Sequence, residues 1–400
     1  MLPADVSKIT MKDLESLMSA QVPEGQRIEY KEKIELDKES GKKEFLADIS
    51  SFANTAGGWI IFGIWEEGGC PKDIVGVETD DVDALYQRMD NIIQSGISPR
   101  IPGISIGKVE FSGSKYVILI HVPRSYCGPH MVTLGGEYRF YARNNSGKYP
   151  MTVDELRLAF TFSETIAEKA RKFRKERLAT ISSGEAPLPL SSSPPSWFVM
   201  HVVPYSAFAL SRGYSAEYLS RCSQSVSLKP FYSRRWDSLY NADGFLLYSQ
   251  DKNGRVYSYL QLFRNGIIEA ATSSFFEITQ EGLLFSIDTL EEEVLKDFPR
   301  YCSFLQEVGA ETPVAVFLSL FNARGCTIRG KRALSLPAIP PALVETQTLR
   351  QDTLLVPEVV FERYEGLVSE NILKPCFDVV WNAFGFPRSL NYDDSGRRGK

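Results

Sequence analysis

Histidine is scarce: His121, His130 and His201 are the three in 400 residues, and they lie far apart. That leaves no obvious pair for metal-free RNA cleavage through the ribose hydroxyl, which needs a general base. Cysteine is sparse too. Cys70, Cys127, Cys222, Cys302, Cys326 and Cys376 include no C-x-x-C, so the pattern suits reduced thiols and not a disulfide framework or a paired zinc site. No apolar run reaches the ~18 residues of a membrane helix. Residues 1–20 lack the continuous apolar stretch of a signal peptide, and the expected location is the cytoplasm. P-loop and Rossmann glycine fingerprints are missing. A general polycation is excluded as well, because the formal net charge is -5. Contact with nucleic acid would need a local basic patch. One lies between residues 100 and 148, where seven cations (Arg100, Lys108, Lys115, Arg124, Arg139, Arg143 and Lys148) stand against Glu110 and Glu137.

With 43% hydrophobic residues the chain can bury sizeable cores, and its length alone favours two domains or three. The Pro/Ser-rich stretch 184–196 cannot sustain a helix and reads as a linker between a domain at 1–183 and another at 197–400. The expected fold class is α/β of the α+β kind, with a mixed sheet and flanking helices first and a second α/β domain containing an antiparallel meander. Thr10 with Asp13 starts a helix over 11–19, and a short strand follows at 27–33. A helix over 41–55 places Phe45, Ile49 and Phe52 on one stripe, and Gly57-Gly58 stop it before the strand 59–64. A helix over 80–94 and strands at 104–111, 115–122 and 137–143 come next, and Thr152 caps a helix reaching about 177. In the second half, strands at 244–248, 256–263 and 267–270 form the meander. A helix over 289–308 is expected to break or kink at Pro299, and a last helix covers 377–384.

On a strand, Glu29 and Lys31 project from one face, so a carboxylate and a cation able to stabilise a phosphate share a surface. Glu24 lies just before that strand, and Glu66-Glu67 follow the next one. Three carboxylates from separate elements suit a hard cation such as Mg²⁺ or Mn²⁺, which activates water and neutralises charge on a phosphate. The spacing leaves Glu66 and Glu67 as alternatives for the third. Arg100, Arg124, Arg139, Arg143 and Lys148 are the expected contacts to backbone phosphates.

The series Glu24-x4-Glu29-x-Lys31, Phe52-Ala53-Asn54-Thr55-x-Gly57-Gly58, Ile61-x-Gly63-Ile64 and Tyr138 to Arg143 resembles the Schlafen-type domain, also called divergent AlbA, over about residues 20–160. The resemblance implies an α/β domain that binds nucleic acid. It also implies metal-dependent cleavage of structured RNA such as tRNA, in stress or phage defence, with Glu24, Glu29 and Glu66 at the positions of the family's three acids. Where that family usually shows Asp-Asp, this chain has Trp65-Glu66-Glu67. Animal Schlafens pair two related lobes around RNA, which implies a homodimer for a chain with one copy. The alternatives are a non-catalytic DNA- or RNA-binding regulator and a protein-interaction or ligand-sensing module.

Overall fold

The structure is a computed structural model that describes residues 2–3, 6–136, 138–191, 193–208, 213–329, 348–364, 366–393 and 396–399. Glu137, counted in the basic patch and opening the expected strand 137–143, lies outside them, as does Ser192 of the 184–196 stretch. The chain divides into two compact units, Met1–Ile166 and Ala167–Lys400. Both combine helices with sheets, as an α+β fold should.

In the first unit, α1 (Met11–Ser19) begins with the Thr10/Asp13 capping box. Strand β1 (Ile28–Lys31) pairs in parallel with β2 (Gly58–Phe62). Between them runs α2 (Glu39–Ala53). The hairpin β3 (Ile64–Glu67) and β4 (Cys70–Ile74) follows, then β5 (Val77–Glu78) and α3 (Val82–Gly96), whose first turn is capped by Asp81. Strands β6 (Ile97–Ser98), β7 (Ser105–Ser112), β8 (Lys115–Val122), β9 (Met131–Val132), β10 (Arg139–Asn144) and β11 (Gly147–Pro150) complete its strands. One sheet has the order β1-β2-β8-β5 with β7 also on β8, and a smaller one runs β11-β10-β9-β6.

The larger sheet is buried on both faces, which explains why β2 reads as an unbroken apolar run and not an alternating one. Ile60, Phe62, Ile118 and Ile120 pack with Phe45, Ile49 and Phe52 of α2. Trp59, Ile61, Val117 and Leu119 pack on the other face with Leu14 and Leu17 of α1. Each such side chain stabilises the fold by about 1.5–3 kcal/mol. The β1–β2 register pairs Glu29 with Ile60 and Lys31 with Phe62, so both charged residues face α2.

Helix α4 (Val153–Ser182) carries the division between the units. In the second unit an eight-stranded sheet joins β12 (Trp197–Pro204), β13 (Asp237–Asn241), β14 (Gly244–Gln250), β15 (Val256–Phe263), β16 (Ile268–Thr272) and the strand Val314–Phe321, with short edge strands beyond. The expected meander is β14-β15-β16. Besides the part of α4 from Ala167 on, helix α5 (Ala216–Ser225), helix α6 (Ile287–Glu307) and the closing helix Ser369–Ala383 belong to this unit. The expected break at Pro299 is absent: α6 continues through it, because Leu290, Val294, Phe298, Tyr301 and Leu305 form one buried stripe on both sides. The 184–196 stretch is fastened to this unit. Ser191 N–H donates to Val256 O at 2.7 Å, Val256 N–H donates to Pro189 O at 3.1 Å, and the Ser196 hydroxyl donates to Asn322 O at 2.5 Å.

Candidate functional site

The site is assembled by the segment after α2. Asn54 Nδ2 donates to the carbonyls of His130 and Tyr141, both at 2.9 Å, and its Oδ1 accepts the His130 N–H at 2.7 Å. Thr55 Oγ1 accepts the Arg143 N–H at 3.0 Å. The chain then turns at Gly57, whose φ of +67° favours glycine, and a Cβ at Gly58 would lie 2.4 Å from Arg27 O. The Asn-Thr-x-Gly-Gly block is therefore a clamp. It holds β10 against α2 and so fixes Arg143 beside Glu29.

Arg143 is 2% exposed, and its guanidinium turns inward. Nη2 pairs with Glu29, Nε donates to Gly25 O at 2.9 Å, and the group lies 4.2 Å from the Phe52 ring centroid. Lys31 Nζ meets Glu29 at 2.8 Å. Asp48, buried on α2, draws three cations: Lys148 Nζ at 2.8 Å, Arg143 Nη1 at 3.5 Å without a hydrogen bond, and Lys31 Nζ at 3.7 Å. Lys148 also pairs with Glu44. Burial pushes the Glu29 carboxyl up, but Lys31 and Arg143 outweigh it and hold the group below the usual carboxylate range. At Asp48 burial prevails over Lys148 and Lys31, and its value rises. Lys31 is raised: burial opposes its charge, but Asp48 and Glu29 favour it more. The cluster opens onto a cleft of about 570 Å³ lined by Lys31, Lys33, Glu44 and Asp48, with Phe45 and Phe62 as apolar wall.

The three expected acids come within electrostatic range of one another. Glu24 N–H donates to Gly69 O at 2.7 Å, which ties the Glu24 loop to the β3–β4 turn. Burial first, then Glu29 and Glu66, push the Glu24 carboxyl up, against a hydrogen bond from Tyr30 N–H. Yet each carboxylate has a protein donor: Tyr30 N–H on Glu24 at 2.7 Å, Gly69 N–H on Glu66 at 2.6 Å, and Lys31 and Arg143 on Glu29. Glu67 is exposed beyond them. Among the described residues no group of three His, Cys, Asp or Glu side chains has the arrangement to hold a metal ion.

The five expected phosphate contacts separate. Arg100 and Arg139 are exposed. Arg124 is half-buried, its guanidinium 5.2 Å from the Phe162 ring and 5.7 Å from the Tyr126 ring. Arg143 faces inward onto Glu29, held there by the clamp, and the half-buried Lys148 pairs with Asp48 and Glu44. Asp48 and Glu44 join the cluster without belonging to any motif of the sequence. The available signal was position 48 itself, an aspartate three residues after Phe45 and four before Phe52, on the apolar stripe.

No curated protein matches the chain. Among solved structures, the DIP2311 protein from Corynebacterium diphtheriae is similar at 20% identity and a TM-score of 0.24, over 35% of this chain and 26% of that one. The chain thus spans about a quarter of that protein's length. The N-terminal domain of a RecG-related protein from Nitrosomonas europaea is similar at 22% identity and a TM-score of 0.26, over 36% of this chain and 89% of that domain. Residues 24–152 match the sequence model of the family Schlafen, AlbA_2, and this segment, with its clamp and its acid–base cluster, is a Schlafen AlbA-type domain.

Proposed function

We propose that the first unit binds nucleic acid without cleaving it, the family match supporting nucleic acid as the partner. The observation that carries the choice of binding over cleavage is that both oxygens of Glu29 are held, Oε1 by Lys31 and Oε2 by Arg143. A carboxylate held by two cations is a strut for the domain and not an open metal ligand. The exposed Arg100 and Arg139 then supply the electrostatic grip on phosphates. A cytoplasmic location belongs to the same reading; among the described residues no helix is long and apolar enough to cross a membrane. The test is a gel-shift titration with tRNA and with duplex DNA over a range of salt. Binding should weaken steeply with salt, and Arg100→Glu with Arg139→Glu should reduce the log–log salt slope by about 1 for each phosphate no longer neutralised. Salt-insensitive binding, or none, would overturn the reading.

A second reading, a metal-dependent endoribonuclease acting on structured RNA such as tRNA, has one observation in its favour. Glu29 and Glu66 both raise the Glu24 carboxyl, a crowding of negative charge that a divalent cation would relieve. Glu24, Glu29 and Glu66 would have to exchange their present donors for Mg²⁺ or Mn²⁺, with Lys31 beside the phosphate and two copies of the chain forming the groove. Incubation of tRNA with either metal or with chelator separates the readings. Discrete fragments that require metal and vanish in Glu29→Gln would establish the nuclease.

A further inference from the structure

A second cavity, of about 310 Å³, lies within the first unit between the 124–129 loop and the first half of α4. Its size is at the small end of ligand pockets, roughly 300–1,000 Å³. Arg124 and Phe162 form one wall, with the Tyr126 ring 6.5 Å from that of Phe162 and tilted by 34°. The guanidinium and the Phe162 ring, both half-buried, offer π-faces of the kind on which flat aromatic molecules stack, and the buried Tyr126 ring backs them. Asn54 and Ser125 contribute polar edges. The lining holds a cation and no acid, unlike the cleft at Asp48, which has both signs.

The surroundings carry unusual exposed apolar area. Leu158 on the rim is 70% exposed, Phe160 is 50% exposed and Tyr138 is 71% exposed. Phe160 meets Phe140 edge-on at 6.0 Å, which brings β10 beside this turn of the helix. The exposed Arg157 precedes Leu158, and the exposed Arg139 lies between Tyr138 and Phe140. Aromatics interleaved with arginines on an open surface suit a polyanion whose bases are free to stack.

A nucleophilic role for this pocket is disfavoured by Ser125 itself. Its Oγ lies 2.6 Å from His130 Nε2, but it also accepts the Cys127 N–H at 3.1 Å. His130 is fully buried, with Nδ1 2.7 Å from Pro99 O. Those bonds brace the loop that presents Arg124.

We infer that this pocket receives one unpaired base of a single-stranded nucleic acid, stacked against Arg124 and Phe162. A duplex keeps its base faces stacked internally and cannot offer one without opening. The inference rests on the nucleic-acid reading above and sharpens it to strands, loops or ends with unpaired bases. Because every base has a π-face, the preference is for strandedness and not for sequence.

The test is fluorescence polarisation of the full chain with a labelled oligouridylate, its deoxy counterpart and a blunt duplex of matched length. The variants are Arg124→Ala, which removes the cation of the platform, and Ser163→Trp, which fills the pocket from the half-buried helix face and keeps the test open if Arg124→Ala fails to fold. Single-strand affinity, in whichever sugar series binds, should fall on the order of ten-fold in each folded variant. Duplex affinity should stay unchanged. Unaltered single-strand binding by folded Ser163→Trp would overturn the pocket and leave the nucleic-acid reading intact. Failure of the unaltered protein to bind any of the three would overturn both.

Discussion

Arg143 shows how a residue's role depends on what lies opposite it. In the sequence it belongs to a run of cations that suggests phosphate contact; in the fold it is buried against Glu29, Gly25 O and the Phe52 ring. Breaking a buried pair by removing one partner costs about 3–5 kcal/mol, because the remaining charge is left without compensation. Asn54 is the companion case: its amide satisfies two carbonyls and one N–H that would otherwise go unpaired. Asn54→Ala should destabilise the first unit by about 3 kcal/mol. Urea unfolding followed by circular dichroism would check this. A change below about 1 kcal/mol would mean that the clamp is not what holds β10.

Among the elements, those governed by local pattern were legible and those governed by pairing were not. The capping box places α1 at the expected residues, and Asp81 sets the first turn of α3. The Gly57-Gly58 stop was also readable, but its reason was not. Gly58 is required because a Cβ there would meet the Arg27 carbonyl at 2.4 Å and the Phe52 ring at 2.5 Å, neither adjacent in sequence. Gly58→Ala is therefore expected to cost about 1–3 kcal/mol through overpacking. A thermal melt would show this as a lowered midpoint; an unchanged midpoint would mean that β1 can shift at no cost. Pro299 illustrates the opposite balance. Proline in a helix costs about 3 kcal/mol, yet a buried apolar stripe continuing past it keeps α6 whole.

For the molecule as a whole, the two units differ in how they hold buried charge. In the second, Glu269 is fully buried and bound by Arg177 Nε at 2.8 Å and Nη2 at 2.9 Å, by His201 Nε2 at 3.0 Å and by the Tyr259 hydroxyl at 2.9 Å. Burial pushes the carboxyl up, but Arg177 and His201 prevail and bring it down to about 2. The folded value lies below the unfolded one of 4.5, so the associated stability is present above about pH 4.5 and is lost as pH falls toward 2. The shift corresponds to on the order of 3 kcal/mol. Glu269→Gln should flatten the acid limb of the second unit's unfolding while lowering its stability at neutral pH, where Arg177 is left without a counter-charge. Urea titrations at about pH 6 and about pH 3 would test this; an acid limb as steep as in the unaltered protein would assign the dependence to other groups. The sequence by itself determined the α+β class, the helices with strong stripes and caps, the meander, and the presence of Glu24, Glu29, Lys31 and the Asn-Thr-x-Gly-Gly block in the first unit. Those features depend on spacing over a few residues. Only the tertiary structure decided that Arg143 reaches Glu29 across 114 positions and Lys148 reaches Asp48 across 100. Sheet pairing and helix packing choose such partners, and no local periodicity encodes them.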